Sequence, residues 1–467
     1  MEAMTIREIL AAVNGRILDG FEDLDLEIFR VETDSRTIHQ GSLFVPIIGD
    51  QFDGHAYINS ALEGGAAACL TQRERETYLP GKCYIKVENT ARALRELAKH
   101  HRKKFDVPVV ALTGSVGKTT TKDMVAAVLG ERYRVLKTEG NLNTDIGTCM
   151  TLFGLNRETE ILVLEMGMNH PGEIEVMSAL AEPDICLITN VGDSHIEFLG
   201  SRENTLKAKC EIFSHAKPGY TAVLNGDDEL LRTLGDALDA NWAGNVLWVG
   251  ETPGLDYTAT QLTSDGKTVT SCKVKTPRMT CNIEIPALGS HMIYPTLMAT
   301  AVGEYFGLTQ EEICRGVLHF APTKMRMNIL QRKEDITILN DTYNANPQSM
   351  RAAVEVLSKT HNCRKIAVLG DMFELGALAP ALHAGVGAYL GKAGVDCLVA
   401  VGELAKNIYD AAKDALVPEI HYCATKEEAK EVLAQLVRPD ATILVKASRG
   451  MAFEELVDYL KSITEEA

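Results

Sequence analysis

Short apolar runs that stop at polar residues recur along the chain, with helically spaced segments between them. In the middle of the chain these runs are Val107 to Leu112, Ile161 to Leu164, Ile185 to Thr189 and Thr221 to Leu224. Alternating strand and helix predicts a parallel sheet, and in such sheets ligands sit just beyond the carboxyl ends of the strands. The polar residues that close the runs therefore converge on one site. Ahead of this region, Ser42 to Ile48, Ala66 to Leu70 and Tyr84 to Val87, with a Gly64-Gly65 turn, predict a small α/β domain. Its last helix, Thr90 to about Lys104, closes with His100-His101-Arg102-Lys103-Lys104, read as a solvated charge run and a linker. Between Asp256 and Pro286 the period shortens to two around Asp265-Gly266, which predicts an antiparallel hairpin with a structural role. The final third repeats the alternation in Ile336 to Leu339, Lys365 to Leu369, Cys397 to Val401 and Thr442 to Val445. The fold class is thus α/β in three domains: a small N-terminal α/β domain (1–105), a central α/β domain (106–322), which the loop described next makes a P-loop mononucleotide-binding domain, and a C-terminal Rossmann-like α/β domain (323–467). A length of 467 residues suits about three domains.

The sharpest chemical signal opens the central domain. After Val107 to Leu112 comes Thr113-Gly114-Ser115-Val116-Gly117-Lys118-Thr119-Thr120, and helical spacing resumes at Thr121. A glycine-rich turn between strand and helix aims backbone N–H groups, and the positive end of the helix dipole, at one point, which suits phosphate. Gly114, Ser115, Val116, Gly117, Lys118, Thr119 and Thr120 are the nucleotide-binding candidates. Lys118 supplies a cation for the β/γ-phosphates, and the Thr119 hydroxyl a ligand for magnesium. The first Walker glycine is replaced by Leu112, so the match is to the shorter Gly-x-x-Gly-Lys-Thr form. Glu165 ends a strand that lies two elements further on, where a carboxylate can hold the same ion. His195, beyond the next strand, is either a hydrogen-bonded structural residue or a ligand to a second cation. Lys207 and Lys209 read, from spacing alone, as solvated.

Charge and composition narrow the partners. With 47 basic and 64 acidic residues the net charge is −17, which excludes a nucleic-acid backbone or an anionic membrane as the natural partner. Eleven cysteines without a C-x-x-C pair suit reduced packing residues rather than a disulfide framework or zinc. The start of the chain lacks a secretory pattern and no run reaches the ~18 apolar residues of a membrane helix, so a soluble, cytoplasmic chain is expected.

Three motifs occur in the order found in Mur ligases: Thr113-Gly-x-x-Gly-Lys-Thr, Glu165-Met-Gly-x-Asn-His-x-Gly-Glu-Ile and Thr189-Asn-Val-Gly-x-x-His-Ile-Glu. Asn340-Asp-Thr-Tyr-Asn-Ala-Asn-Pro-Gln-Ser-Met350, Leu369-Gly-Asp-Met-Phe-Glu-Leu-Gly376, Leu444-Val-Lys-Ala-Ser-Arg449 and the N-terminal Thr33-Asp-Ser-Arg36 extend the resemblance over nearly the whole chain. The sequence resembles the type that joins D-alanyl-D-alanine to a UDP-N-acetylmuramoyl tripeptide. The resemblance implies an ATP- and Mg2+-dependent, monomeric ligase that activates a carboxylate as an acyl phosphate. It also implies roles residue by residue. Lys118, His195, Lys209 and Arg326 would be catalytic, with Lys209 carbamylated and Arg326 reaching the γ-phosphate from the third domain. Asp341, Tyr343 and Asn344 would touch ATP. Asp34, Ser35 and Arg36 would hold the uridine diphosphate, and Asn141, Asn143, Asn346, Ser448 and Arg449 other parts of the substrates. Thr119, Glu165 and His195 would serve the metal. Asp145 departs from the family's substrate loop and adds negative charge beside an anionic ligand.

Overall fold

The computed structural model describes residues 1–18, 20–49, 51–194, 196–235 and 244–465. Among the described residues three large sheets and one two-stranded ribbon form. The first has five strands in the order Arg16–Leu18, Cys83–Lys86, Ala68–Thr71, Leu43–Phe44 and Val31–Glu32, beside a two-stranded ribbon of Met4–Thr5 with Glu27–Ile28. The second has nine strands, and the third six.

In the nine-stranded sheet Val109–Thr113 lies between Ile161–Glu165 and Ile185–Ile188, parallel to both. The chain runs out to one side through Val135–Lys137 and back to Ile161–Glu165, then crosses to Ile185–Ile188, Thr221–Asn225 and Asn245–Gly250 on the other. The reversal falls beside Val109–Thr113 and opens a crevice at its carboxyl end, the place such sheets reserve for ligands. The expected hairpin is a longer antiparallel extension of this sheet, Tyr257–Ser264, Thr270–Lys275 and Thr280–Ile285. It has more than a packing role, because its turn at Gly266 accepts a hydrogen bond from His361 N of the third unit at 3.2 Å.

Pleating divides the core. Val109 and Ala111 face a core shared with the N-terminal sheet, while Val110 and Leu112 face the helices Lys118–Leu129 and Ile293–Tyr305. The helix Thr90–Arg102 corrects the solvated reading of its basic end. His101 is fully buried with Nε2 3.0 Å from Leu155 O, and Arg102, 8% exposed, donates to Phe105 O and to Val107 O (2.8 Å). Those two side chains cap carbonyls at the junction of the first two sheets, a task invisible in a charge count. Among the third sheet's strands, Asn328–Arg332 pairs antiparallel with Ile336–Asn340, and the rest run parallel in the order Ile336–Asn340, Ala441–Lys446, Arg364–Gly370, Cys397–Val401 and Glu419–Cys423. The carboxyl ends of its central strands face the crevice.

The helix Gln310–Leu318 crosses Lys118–Leu129 at Gly316, where an added Cβ would stand 2.4 Å from Val128 Cα. Backbone cannot retreat as a side chain can, so Gly316→Ala is expected to destabilise the chain by about 1–3 kcal/mol. The check is the denaturant midpoint of the central unit, which should fall.

Candidate active site

The loop after Val109–Thr113 is held open by its neighbours. Gly114 has φ 150° and Gly117 φ 82°, and a Cβ on Gly114 would lie 1.8 Å from Thr189 Oγ1, so that position accepts only glycine. Asn190 pins the loop from the next strand end. Its carbonyl accepts from Ser115 N (3.1 Å), its Oδ1 from Val116 N (2.9 Å), and its Nδ2 donates to Val116 O (2.9 Å). Thr189 Oγ1 donates to the same carbonyl at 2.6 Å. The helix Lys118–Leu129 starts from Gly117 with no side-chain cap, which leaves its first N–H groups and its dipole directed into the crevice. Lys118 Nζ folds back onto Gly114 O at 2.8 Å.

Beside this loop lies a buried carboxylate. Glu165 Oε1 accepts from Asn143 Nδ2 (2.8 Å) and Thr119 Oγ1 (3.2 Å), and its backbone N donates to Thr138 Oγ1 (3.0 Å). Glu165 Oε2 is buried without a hydrogen-bond partner among the described residues. Leaving a carboxylate oxygen so placed is unfavourable unless a cation completes it. Thr119 and Glu165 thus fit a hard divalent ion, whose preferred ligands are oxygens.

The third unit closes the opposite wall of a cleft of about 460 Å³. Arg326 stacks its guanidinium 4.1 Å from the Tyr343 ring centroid, and its Nε is buried without a partner among the described residues. Met325 and Met327, which flank it, have φ of 64° and 49°. Such conformations in non-glycine residues cost about 1–3 kcal/mol each and persist only where the surroundings impose them. Tyr343 N donates to Met325 O (3.1 Å) and Met327 N to Asp341 Oδ1 (3.1 Å), which fixes the turn. Lys446, 2% exposed, bonds Asp341 Oδ2 at 2.6 Å and Asn344 O at 2.8 Å.

Positive charge crowds this space. Burial, and secondarily Arg326, lower the pKa of Lys118, against the pull of Glu165. Burial also pushes Lys209 well below its ordinary value, and Lys118 adds to the shift. Lys209 is 2% exposed, so the solvated reading of its spacing is corrected. Its helix, Arg202–Cys210, buries Thr205, Ala208 and Lys209, and Lys209 lies outside the cleft wall. An anion between Lys118 and Arg326 would relieve their repulsion.

This geometry has close relatives. Family models match residues 27–102 (Mur ligase family, catalytic domain), 112–303 (Mur ligase middle domain) and 325–449 (Mur ligase, glutamate ligase domain). The UDP-N-acetylmuramoyl-tripeptide--D-alanyl-D-alanine ligase of Bacillus subtilis is 37% identical over 97% of each chain. The chain belongs to the Mur ligase family. The ligase of the same name from Escherichia coli is 35% identical over 99% of each chain. The crystal structure of MurF from Acinetobacter baumannii matches with a TM-score of 0.91 at 30% identity, over 98% of this chain and 99% of that one. MurF from Thermotoga maritima, solved in complex with ADP, matches with a TM-score of 0.82 at 28% identity, over 93% and 97%.

In this Mur ligase the cleft brings together Ser115, Val116, Gly117, Lys118, Thr119, Thr120, Asn143, Glu165, Arg326, Asp341, Tyr343, Asn344, Asn346, Ser448 and Arg449 of the residues expected from sequence. Gly114 shapes the loop from below. Asp34, Ser35 and Arg36 do not border the cleft: they form a turn of the N-terminal unit, where hydrogen bonds from Arg36 hold the Asp34 carboxyl at about 2. Asn141 is exposed and outside the cleft wall, and His195 lies outside the described residues. Asp145 pairs with Arg95 of the N-terminal unit at 2.9 Å, so its charge is compensated within the chain. Asn346 both caps the helix Pro347–Ser358, with Pro347 in the first turn, and donates from Nδ2 to Ser194 Oγ (2.8 Å) across the cleft. Sequence reasoning gave no role to Lys446, Asn190 or Thr138. Lys446 and Asn190 directly follow apolar strand runs, the same signal that singled out Glu165, whereas Thr138 follows the charged Lys137 and carries no such signal.

Lys209 gives a stability test. Its folded pKa is depressed below 10.5, so burial penalises the protonated amine. That penalty is absent above 10.5, grows as pH falls toward the lowered value, and is constant below it. In bicarbonate-free buffer Lys209→Met should therefore melt above the parent at neutral pH, with the gap closing as pH rises toward 10.5. Paired thermal melts across that range check the sign.

Proposed function

We propose that this Mur ligase joins D-alanyl-D-alanine to the terminal carboxylate of a UDP-N-acetylmuramoyl-tripeptide, with conversion of ATP to ADP and phosphate. The observation that carries the reading is a cleft in which an uncapped helix start and Lys118 face Arg326, beside Glu165, whose Oε2 has no partner among the described residues. The names of the full-length relatives and the ADP complex of one structural neighbour support the substrates. The three sheets then divide the work: residues 1–105 hold the UDP end through Asp34, Ser35 and Arg36, 106–322 hold ATP, and 323–467 bring the ligase contacts. Tyr343, Asn344 and Asp341 meet the nucleotide, while Asn141, Asn143, Asn346, Ser448 and Arg449 meet the other substrates.

The chemistry follows from charge. A carboxylate oxygen of the tripeptide attacks the γ-phosphorus, ADP leaves, and an acyl phosphate results. The amine of D-alanyl-D-alanine then adds to the acyl carbon, loses a proton, and phosphate departs. Two anions must meet in the first step, so Lys118 and Arg326 act by holding positive charge where the transferring phosphoryl group gains equatorial charge. Thr119 and Glu165 would hold a magnesium ion, with His195 near a second; bound there, magnesium neutralises phosphate charge. Lys209 carries a carbamate in this reading, which suits an amine whose burial favours the neutral form that reacts with carbon dioxide. The enzyme works as a cytoplasmic monomer. In support, among the described residues no helix is long and apolar enough to cross a membrane, and each sheet buries its apolar faces within the chain.

Mass spectrometry of reactions with ATP, magnesium, each UDP-tripeptide and D-alanyl-D-alanine should show the pentapeptide product. Rapid ADP release without either co-substrate would count against a ligase. Lys118→Ala is expected to lose about a hundredfold or more in turnover, roughly 3 kcal/mol, with the fold intact. Arg326→Lys should not rescue the loss in Arg326→Ala, since lysine lacks the planar fork that engages two phosphate oxygens. Steady-state kinetics on the purified variants decide both.

A further inference from the structure

Asp123 sits one turn beyond Thr119 on the phosphate-loop helix, and spacing of four residues puts both side chains on one face. It is 6% exposed. Its Oδ1 accepts from Lys137 Nζ at 2.7 Å, with Lys122 Nζ 3.4 Å away, so two lysines orient the carboxylate. Its Oδ2 accepts from Thr323 Oγ1, at the junction of the central and third units. Thr323 in turn starts the Arg326 turn: its carbonyl accepts from Arg326 N at 3.2 Å and from Asn328 Nδ2 at 3.2 Å, while Asn328 Oδ1 accepts from Met325 N. The Arg326 turn is thus gripped from two directions, by Asp341 and Tyr343 of the third unit and by Asp123 of the helix that carries Lys118 and Thr119.

We propose that Asp123 and Thr323 are positioning residues that register Arg326 against the phosphate loop, through the bond between the Asp123 carboxylate and the Thr323 hydroxyl. The proposal rests on Arg326 acting at the γ-phosphate. The positive φ values of Met325 and Met327 give the reason such an anchor is needed: a turn with two unfavourable backbone angles relaxes when one of its grips is removed. Relaxation moves the guanidinium while the nucleotide's cradle, built from Gly114 to Thr120, is left intact. Loss of the anchor should therefore lower kcat and leave ATP affinity alone.

The test uses the full-length enzyme. Thr323→Val removes the hydroxyl with little change of shape, and Thr323→Ser restores it. Thr323→Val should lower kcat about tenfold or more, the scale on which small misplacements act. ATP KM and ADP affinity should stay within twofold, and Thr323→Ser should recover most of the turnover. In an Arg326→Ala background, Thr323→Val should cause no further loss of the residual turnover. Normal kcat in Thr323→Val, failure of Thr323→Ser to recover, or an equal loss in the Arg326→Ala background would overturn the coupling. Asp123→Asn, which keeps an acceptor but loses the charge that binds both lysines, should show the same kcat-only defect; a defect confined to ATP KM would also overturn it. If Arg326→Ala itself turned over normally, the role of Arg326 would fall and the coupling with it. An impaired Arg326→Ala beside an unaffected Thr323→Val would remove the coupling alone.

Discussion

The arrangement around the cleft depends on cations gathered where little water remains to screen them. Lys118 and Lys209 both have depressed pKa values, chiefly through burial and then through neighbouring positive charge. A folded chain tolerates such a cluster when backbone carbonyls and carboxylates share the load, as Gly114 O does for Lys118 and Asp341 for Lys446. The remaining imbalance is directional, and a polyphosphate entering from the open side satisfies it. Binding energy comes from groups already in place, so little reorganisation is needed when charge shifts during the reaction.

Much of this was legible from the chain because parallel sheets obey a simple rule: the residue just past an apolar run faces the ligand. The rule located the phosphate loop and Glu165, and strand positions such as Cys397–Val401 matched residue for residue. It failed where a residue's task is set by a partner distant in sequence. The burial of His101 and Arg102 depends on carbonyls at Leu155 and Val107, and nothing in a local basic run announces them. The compensation of Asp145 depends on Arg95, fifty positions earlier. Lys209 looked solvated because helical spacing tells which residues share a face, not which way the face turns. Lys446 was hidden by chemistry rather than distance, since a lysine at a strand end is read as exposed until its carboxylate partner is known.

The two junctions between sheets differ in kind. The N-terminal and central sheets share one apolar core that runs from Met4 through Leu97 to Leu164 and Leu224, reinforced by Arg95 and Arg102. The central and third units meet through a small apolar contact, Ile196 and Leu288 set into the third unit's core, and through polar contacts: Asn346 with Ser194, Ser290 with Glu355, Gly266 with His361, and Asp123 with Thr323. Polar contacts exchange readily with water and permit relative movement, whereas apolar burial resists it.

The shared core also bears on how the chain is made. Phe44, Leu62 and Tyr84 cover one face of the N-terminal sheet from within its own segment, but the other face shares its core with the central sheet and stays open until the strands up to Thr221–Asn225 are made. The third sheet's two cores are built almost wholly from its own residues, with Ile196 and Leu288 of the central unit added to one of them. During synthesis the first two sheets therefore consolidate together, and the catalytic cleft forms last, when the third unit comes to rest on them over Ile196 and Leu288.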